Sequence, residues 1–142
     1  MRKWKSWAMK VRWKCGLKKM KTEWEIEVVG ELEPVTFKRP CTSGKRRYEP
    51  EDYKRFKEEL GYVARRVMGE REPLSEPLRA QIEIYRRVKI SSLNYGDLDN
   101  HIKACLDALN GICYKDDRQI VEIHAKKLKG APKVIIRIGR AE

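Results

Sequence analysis

The chain has 142 residues, with 33 lysines and arginines against 21 aspartates and glutamates, and its formal net charge is +12 at pH 7. That length suits one domain, which can bury roughly two thirds of its unfolded surface without disulfides. The chain shows neither the apolar stretch of a signal peptide nor a run long enough to span a membrane, and its four cysteines have no CxxC spacing. We therefore expect a cytoplasmic protein with reduced thiols and no membrane association. The charge favours nucleic acid as a partner, because clustered cations gain from neutralising phosphates, although basic surfaces also occur on proteins that bind none.

Residues 1–21 form a basic extension with nine lysines and arginines and no acidic residue. From position 7 to position 17 apolar residues occupy the odd positions, which is the period of a half-buried strand. A second alternation follows, with apolar residues at Trp24, Ile26 and Val28. The two segments can pair as a hairpin around KKMK, or the extension can be a mobile arm that orders only on a polyanion. Its tryptophans could stack on bases, but tryptophans at strand period are more often core residues. Residues 22–142 are predicted to form the main domain.

The middle and end of the chain predict a mixture of helices and strands. Residues 34–50 hold three prolines, a glycine and five basic residues, which indicates a long loop. A helix is predicted from residue 51 to 68, because Pro50 and acidic residues come before its apolar face and Gly69 comes after it. Alternation then predicts a strand over residues 78–84 and two further strands, QIVEIHAKKL and KVIIRI, as hairpin-like neighbours. These elements predict an α+β or mixed α/β fold, a single small domain in which a mixed sheet packs with two main helices.

Five aspartates lie between residues 96 and 120 of this basic chain. The stretch predicts a helix that Asn110 and Gly111 can end, and its apolar side carries Leu98, Ile102, Cys105, Leu106 and Leu109. On the other side, Asp99, Lys103 and Asp107 follow at four-residue spacing, so they share a face. Taken singly, such residues are commonly a helix cap or a solvated salt-bridge ladder.

Further aspartates flank this helix. Asp97 immediately precedes it, and Asp116 and Asp117 lie just before the next strand, so several carboxylates meet at one sheet edge, where their repulsion is costly without a cation. Hard oxygen ligands that leave room for water suit Mg²⁺ best. Beside such an ion, which activates an attacking water and stabilises a leaving oxygen, Lys103 can offset the charge that grows on a phosphate. The residues thus predict phosphodiester hydrolysis, but their spacing does not identify the nucleic acid.

Two motifs resemble those of a known family. DLDNHIKACLDAL and YKDDRQI are similar to the signature of RusA-type Holliday junction resolvases, and a looser similarity extends over about residues 24–138. The resemblance implies a homodimeric, Mg²⁺-dependent endonuclease, with Mn²⁺ as a substitute ion. It also implies that the substrate is a four-way DNA junction, which is resolved by symmetric nicks in phage or prophage recombination and repair.

The resemblance assigns roles by position. The family's catalytic residues fall on Asp97, Asp99, Lys103 and Asp117, and the three aspartates are the implied metal ligands. Supporting acidic positions fall on Asp107 and Asp116. The family's basic segment implies DNA contacts at Lys38, Arg39, Lys45, Arg46 and Arg47. The first twenty or so residues depart from the family pattern, so the resemblance implies no role for them.

Two other functions fit the residues themselves. One is a non-catalytic nucleic-acid-binding module whose acidic helix is only capped and solvated, although carboxylates near a phosphate path weaken binding. The other is a nuclease that uses the same site on other branched DNA or on RNA. His101 and His124 are predicted to be exposed or packing residues rather than metal ligands.

Overall fold

Four strands form one mixed sheet that packs with two helices, and two short strands form a separate hairpin. The computed structural model describes residues 24–37, 41–44 and 46–141, with only the backbone of residues 41–43 and 46–48. In chain order the elements are β1 (Ile26–Gly30), β2 (Cys41–Ser43), β3 (Arg46–Tyr48), α1 (Glu51–Met68), β4 (Leu78–Arg86), α2 (Leu98–Leu109), β5 (Ile120–Lys129) and β6 (Lys133–Arg140). The predicted α+β architecture, a single small domain with two main helices, is confirmed.

The four-stranded sheet has the order β1-β6-β4-β5. β6 pairs antiparallel with both β1 and β4, whereas β5 pairs parallel with β4. The prediction that the last two strands are neighbours is therefore wrong, because β4 lies between them. Residues 130–132 cross the end of β4, where the Gly130 N–H donates to the Arg86 carbonyl oxygen at 2.9 Å. Parallel pairing of β4 and β5 requires a long crossover, and α2 lies within it.

The hydrophobic core lies between the sheet and the helices. Alternate residues of β4 are fully buried, namely Leu78, Ala80, Ile82 and Ile84. The same period buries Val134, Ile136 and Ile138 of β6. α1 packs on β1 and on α2, and α2 also contacts β5. α1 begins after Pro50 and ends before Gly69, and α2 spans the residues that the apolar pattern predicts, so both predicted helices are confirmed.

Residues 34–50 are not the continuous loop that their prolines predict. β2 and β3 pair there as a short antiparallel hairpin, with Gly44 at a φ of 67° in the turn. The prolines at positions 34, 40 and 50 flank the two strands rather than interrupt them, so the ladder loses no N–H donor. Glycine also adopts the left-handed turn without a Cβ clash.

The strand predicted around Ile26 and Val28 is confirmed as β1, with alternate residues buried. Its predicted hairpin partner, which contains Trp7 and Trp13, falls within residues 1–23. That segment lies outside the described residues, so the division of the chain at residue 21 stays a prediction.

Cys105 and Cys113 are free and buried. Burial raises the pKa of the Cys105 thiol to about 12 and that of the Cys113 thiol to about 11. Both thiols therefore stay protonated at neutral pH. Within the described ranges, no helix combines the length and the apolar character that crossing a bilayer requires.

Candidate active site

A hydrogen-bonded turn determines where α2 begins. Residues Leu93–Tyr95 form a 3-10 turn after β4, and the Tyr95 side chain is fully buried. The Tyr95 hydroxyl lies 2.7 Å from the Ile84 carbonyl oxygen and 2.5 Å from the Leu128 carbonyl oxygen. Arg86 donates to the Tyr95 carbonyl oxygen at 2.8 Å. These contacts hold the start of α2 against the carboxyl ends of β4 and β5.

Gly96 joins this turn to α2 in a conformation that favours glycine, with φ at 94° and ψ at 160°. A Cβ at this position would lie 2.7 Å from Thr36 Cγ2 and 3.0 Å from His101 Nε2. The chain therefore passes close to the segment before the hairpin immediately ahead of Asp97.

Asp97 and Asp99 lie at the amino end of α2, and both are exposed. Asp97 occupies the N-cap position, but its side chain makes no capping hydrogen bond. Aspartate at this position ordinarily accepts from a backbone N–H of the first turn. In the part of the chain that the structure describes, neither carboxylate has a hydrogen-bond or ion-pair partner. Among those residues, no donor engages either carboxylate.

Lys103 and Asp107 lie further along the same face of α2, and both act electrostatically on Asp117 of the 3-10 turn before β5. The hydroxyl of the buried Tyr53 donates to Asp107 Oδ2 at 2.6 Å. Burial raises the pKa of Tyr53 and the Asp107 carboxylate raises it further, so the hydroxyl keeps its proton. The pKa of Asp117 is raised first by burial, then by a hydrogen bond with Asp116 and by the charges of Asp116 and Asp107, while Lys103 lowers it. Asp117 thus lies within the electric field of both the lysine and Asp107.

Asp116 has a structural role that the sequence does not reveal. It caps the 3-10 turn Asp117–Gln119, because its Oδ1 accepts from the Arg118 N–H at 2.9 Å. Its Oδ2 lies 3.1 Å from Arg118 Nη2, and its own N–H donates to Gln119 Oε1 at 2.9 Å. The hydrogen bonds from Arg118 lower the pKa of Asp116. Its carboxylate is therefore hydrogen-bonded within the fold, whereas those of Asp97 and Asp99 have no partner among the described residues.

Asp99 and Asp107 lie far apart along the axis of α2. Eight residues separate Asp99 from Asp107, which corresponds to about 12 Å of helix axis. Among residues 24–37, 41–44 and 46–141, no three His, Cys, Asp or Glu side chains lie close enough together to hold a metal ion by themselves. A site made from Asp97, Asp99 and Asp117 stays a prediction.

The two histidines have no place in this cluster. His101 is fully buried, with Nε2 2.7 Å from the Tyr95 carbonyl oxygen and Nδ1 3.2 Å from the Val35 carbonyl oxygen. Burial lowers its pKa, which favours the neutral ring. His124 is exposed on β5 and lies 2.8 Å from Glu122. The predictions of packing and exposed roles are confirmed.

The basic residues predicted to bind DNA belong to a segment that begins and ends beside the helices. Lys38, Arg39 and Lys45 lie outside the described residues, and only the backbone of Arg46 and Arg47 is described, in β3. Just before the segment, the Phe37 N–H donates to the Asn100 carbonyl oxygen of α2 at 3.0 Å. Just after it, Glu49 accepts from Lys57 of α1 at 2.6 Å. The segment therefore leaves from α2 and returns to α1.

Two residues that contact this site, Tyr53 and Phe37, could not be recognised as such from the sequence. Tyr53 has the spacing of an ordinary core residue, and its partner Asp107 is 54 positions away. Phe37 lies in a proline-rich stretch, yet its ring centroid lies 4.7 Å from Lys103 Nζ. Only a pairing of distant segments, such as co-variation between them, could have identified either residue.

The chain matches the family model described as endodeoxyribonuclease RusA over residues 31–139. The matched range includes both helices, the basic segment and all the aspartates discussed above. No curated protein matches the chain significantly. The match spans more than half of the chain, and the motifs that it covers carry the exposed carboxylates and the lysine of α2. The chain therefore belongs to the RusA family of endodeoxyribonucleases, Holliday junction resolvases that hydrolyse DNA phosphodiester bonds.

Proposed function

We propose that this protein is a Mg²⁺-dependent endonuclease that resolves four-way DNA junctions by symmetric nicks. Its setting is cytoplasmic recombination and repair of phage or prophage DNA, with residues 22–142 as the nuclease domain. The observation that carries the proposal is the pair of carboxylates, Asp97 and Asp99, at the start of α2, which have no partner among the described residues of a chain with a net charge of +12. A protein that only binds phosphates loses affinity from such a pair, whereas a metal-dependent hydrolase needs it.

The donor chemistry of these residues fits Mg²⁺, with Mn²⁺ as a substitute. Asp97 and Asp99 would hold the ion, with Asp117 as the third carboxylate. Mg²⁺ commonly binds one or two carboxylates together with waters and substrate phosphates rather than a complete protein cage. When bound, the ion activates the attacking water and stabilises the leaving oxygen.

The residues around the carboxylates have separate tasks. Lys103 projects from the same helix face as Asp99, one turn later, and its ammonium offsets the charge that grows on the phosphate. Asp107 and Asp116 support the site, the first beside Lys103 and the second by holding the turn that carries Asp117. The basic segment, with Lys38, Arg39, Lys45, Arg46 and Arg47, holds the DNA backbone.

Symmetric nicks need two active sites, so we propose that the protein acts as a homodimer. β5 is an edge strand of the sheet, and its Val121 and Ile123 are 64% and 41% exposed. Apolar side chains on a strand that forms the sheet edge among the described residues are suitable contacts for a second copy. Exposed apolar residues of α1 are the other candidate contacts.

The proposed function is tested by cleavage of a labelled four-way junction beside a linear duplex of matched sequence, with Mg²⁺ or with EDTA. Paired nicks in the junction alone, and only with the metal, are expected. Tight binding without metal-dependent cleavage would instead support a binding module. Cleavage of flaps or of RNA at equal rates would support a nuclease of broader substrate range.

Gly96→Ala should slow cleavage by up to about a hundredfold, because the added Cβ meets Thr36 and displaces Asp97, and displacements near 1 Å have effects of that size. The backbone strain should also lower the free energy of unfolding by about 1–3 kcal/mol. Single-turnover cleavage and urea unfolding measure the two effects. Gly111→Ala is the control: Gly111 also has a positive φ, at 83°, but no atom lies within 4 Å of its added Cβ. Equal slowing by both variants would contradict the clash argument.

Replacing the five basic residues of the segment by glutamine should weaken junction binding and reduce its dependence on salt. Each phosphate contact that is lost should reduce the slope of log K against log [salt] by about 0.9. Fluorescence anisotropy at several KCl concentrations measures that slope. Neutralising Arg65 and Arg66, in the last turn of α1, removes two charges outside the segment and should change the slope less. An unchanged slope for the fivefold variant would count against the segment as a phosphate-binding surface.

A further inference from the structure

Two aromatic rings border the face of α2 that carries Lys103 and Asp107. The Phe37 ring lies edge to face with the Tyr53 ring, with centroids 5.6 Å apart and an interplanar angle of 88°. The Lys103 ammonium lies 4.7 Å from the Phe37 centroid. At the other end of the pair, the Tyr53 hydroxyl donates to Asp107 Oδ2 at 2.6 Å. A continuous set of contacts thus runs from Lys103 through both rings to Asp107.

The contact with Phe37 limits where the Lys103 ammonium can go. Lysine has a flexible four-carbon stem and many rotamers, so an exposed lysine samples a wide volume. A cation is attracted to the face of an aromatic ring within about 6 Å. The Lys103 ammonium lies over the Phe37 face and interacts with Asp117 through its charge. The ring therefore selects one region for the charge.

The Phe37 ring is itself held in place. Its backbone N–H donates to the Asn100 carbonyl oxygen in the first turn of α2 at 3.0 Å. Its edge contact with Tyr53 connects it to α1, where Tyr53 is only 1% exposed. Phe37 is thus held to α2 through its backbone and to α1 through its ring.

Tyr53 holds Asp107, which follows Lys103 by one turn on the same face of α2. Its hydroxyl takes one oxygen of Asp107, which ties the carboxylate to α1 and restricts its rotation. Asp107 in turn acts on Asp117 through its charge. Tyr53 thus fixes Asp107 directly and, through the charge of Asp107, influences Asp117.

We propose that Phe37 and Tyr53 are positioning residues of the nuclease site: Phe37 directs the Lys103 ammonium to the scissile phosphate, and Tyr53 fixes Asp107 beside it. The inference rests on the proposed function, because it assumes that Lys103 acts on a phosphate. Neither aromatic side chain needs to touch DNA or metal for this role.

A double-mutant cycle between Phe37→Leu and Lys103→Ala tests the proposal by single-turnover cleavage of the junction with saturating enzyme. Phe37→Leu should slow cleavage by about two- to fivefold, the range that the loss of an exposed cation–π contact gives, with an unchanged Kd for the junction. In the Lys103→Ala background the same change should have no further effect. Phe37→Tyr keeps the ring face and should restore the rate. Equal slowing in both backgrounds would show that Phe37 acts only on the fold and would overturn the proposal.

Tyr53→Phe removes only the hydroxyl and should lower the cleavage rate without changing junction affinity. Tyr62→Phe is the matched control, because Tyr62 lies on the same helix and is 60% exposed. If Tyr53→Phe cleaved the junction as fast as Tyr62→Phe, Tyr53 would have no positioning role in the site.

A measurement without cleavage separates this inference from the proposed function. In NMR spectra, the ring current of Phe37 should shift the Lys103 side-chain Hε protons upfield, and Phe37→Leu should abolish that shift while Phe37→Tyr keeps it. An absent shift in the wild type would overturn the positioning role even if the enzyme cleaves junctions. Failure of the proposed function shows differently, as a wild type that cleaves no junction whether or not the shift is present.

Discussion

Asp99→Asn is expected to slow metal-dependent cleavage at least about a hundredfold while junction binding stays intact or becomes slightly tighter. The Asp99 carboxylate is exposed at the start of α2 and has no partner among the described residues, so its loss breaks no contact with any of them. The amide keeps the shape of the side chain but is a poor ligand for Mg²⁺, and it removes a negative charge that faces the phosphates. Single-turnover cleavage at several Mg²⁺ concentrations, with anisotropy for binding in EDTA, measures both effects.

Glu59→Gln provides the matched control for this variant. Glu59 is an exposed carboxylate on α1, so the change removes the same charge and leaves α2 untouched. It should cleave at the wild-type rate. If Asp99→Asn lost binding together with cleavage, Asp99 would have a role in DNA recognition or folding, and its assignment as a metal ligand would fail. If high Mg²⁺ restored the full cleavage rate of Asp99→Asn, the Asp99 carboxylate would be dispensable for metal binding.

The helices could be predicted from the sequence because their signals are local. α2 begins directly after Asp97 and ends before Asn110, and its apolar residues recur at helical spacing. The pairing of the strands is harder to predict from the sequence. Alternation in β6 indicates which residues face the core, whereas the apolar Val121 and Ile123 of β5 are exposed. Pairing is decided by β4, which precedes both strands in the chain and lies between them. A short connection between two strands favours a hairpin, and here it crosses the end of a third strand instead.

The hairpin of β2 and β3 was missed for a related reason. Proline and glycine indicate an irregular loop, although a three-residue strand fits between them when the prolines lie outside the paired residues. Two of the basic residues, Arg46 and Arg47, then lie in a strand, β3. The sequence could identify those residues as a cationic group but not their arrangement.

The candidate site was predictable in its residue types and only partly in its grouping. Asp97 and Asp99 are exposed without partners among the described residues, as a ligand role requires. Asp116 and Asp117 are adjacent and look equivalent in the sequence, yet one caps a turn and the other lies near Lys103 and Asp107. Helical spacing places Lys103 and Asp107 on one face but cannot show that Phe37 and Tyr53, from two other segments, contact them.

That difference between the adjacent aspartates gives the second large prediction. Asp117→Asn should slow cleavage at least about a hundredfold without loss of thermal stability. Its raised pKa means that the folded state favours the protonated form, so the ionised carboxylate at neutral pH lowers the free energy of unfolding. A neutral amide removes the repulsion from Asp116 and Asp107, so the melting temperature should stay the same or rise. Single-turnover cleavage and thermal unfolding at pH 7 measure the two effects.

Asp116→Ala should show the opposite pattern. Its carboxylate caps the Asp117–Gln119 turn and pairs with Arg118, and its pKa is lowered, so the ionised form stabilises the fold. The variant should melt at a lower temperature yet keep most of its cleavage rate at temperatures where it is folded. If Asp116→Ala abolished cleavage at those temperatures and Asp117→Asn did not, the roles of the two residues would be exchanged. Such an exchange would move the reacting phosphate away from Lys103, since Lys103 acts on Asp117, and the aromatic contacts that hold that lysine would then have no bearing on catalysis.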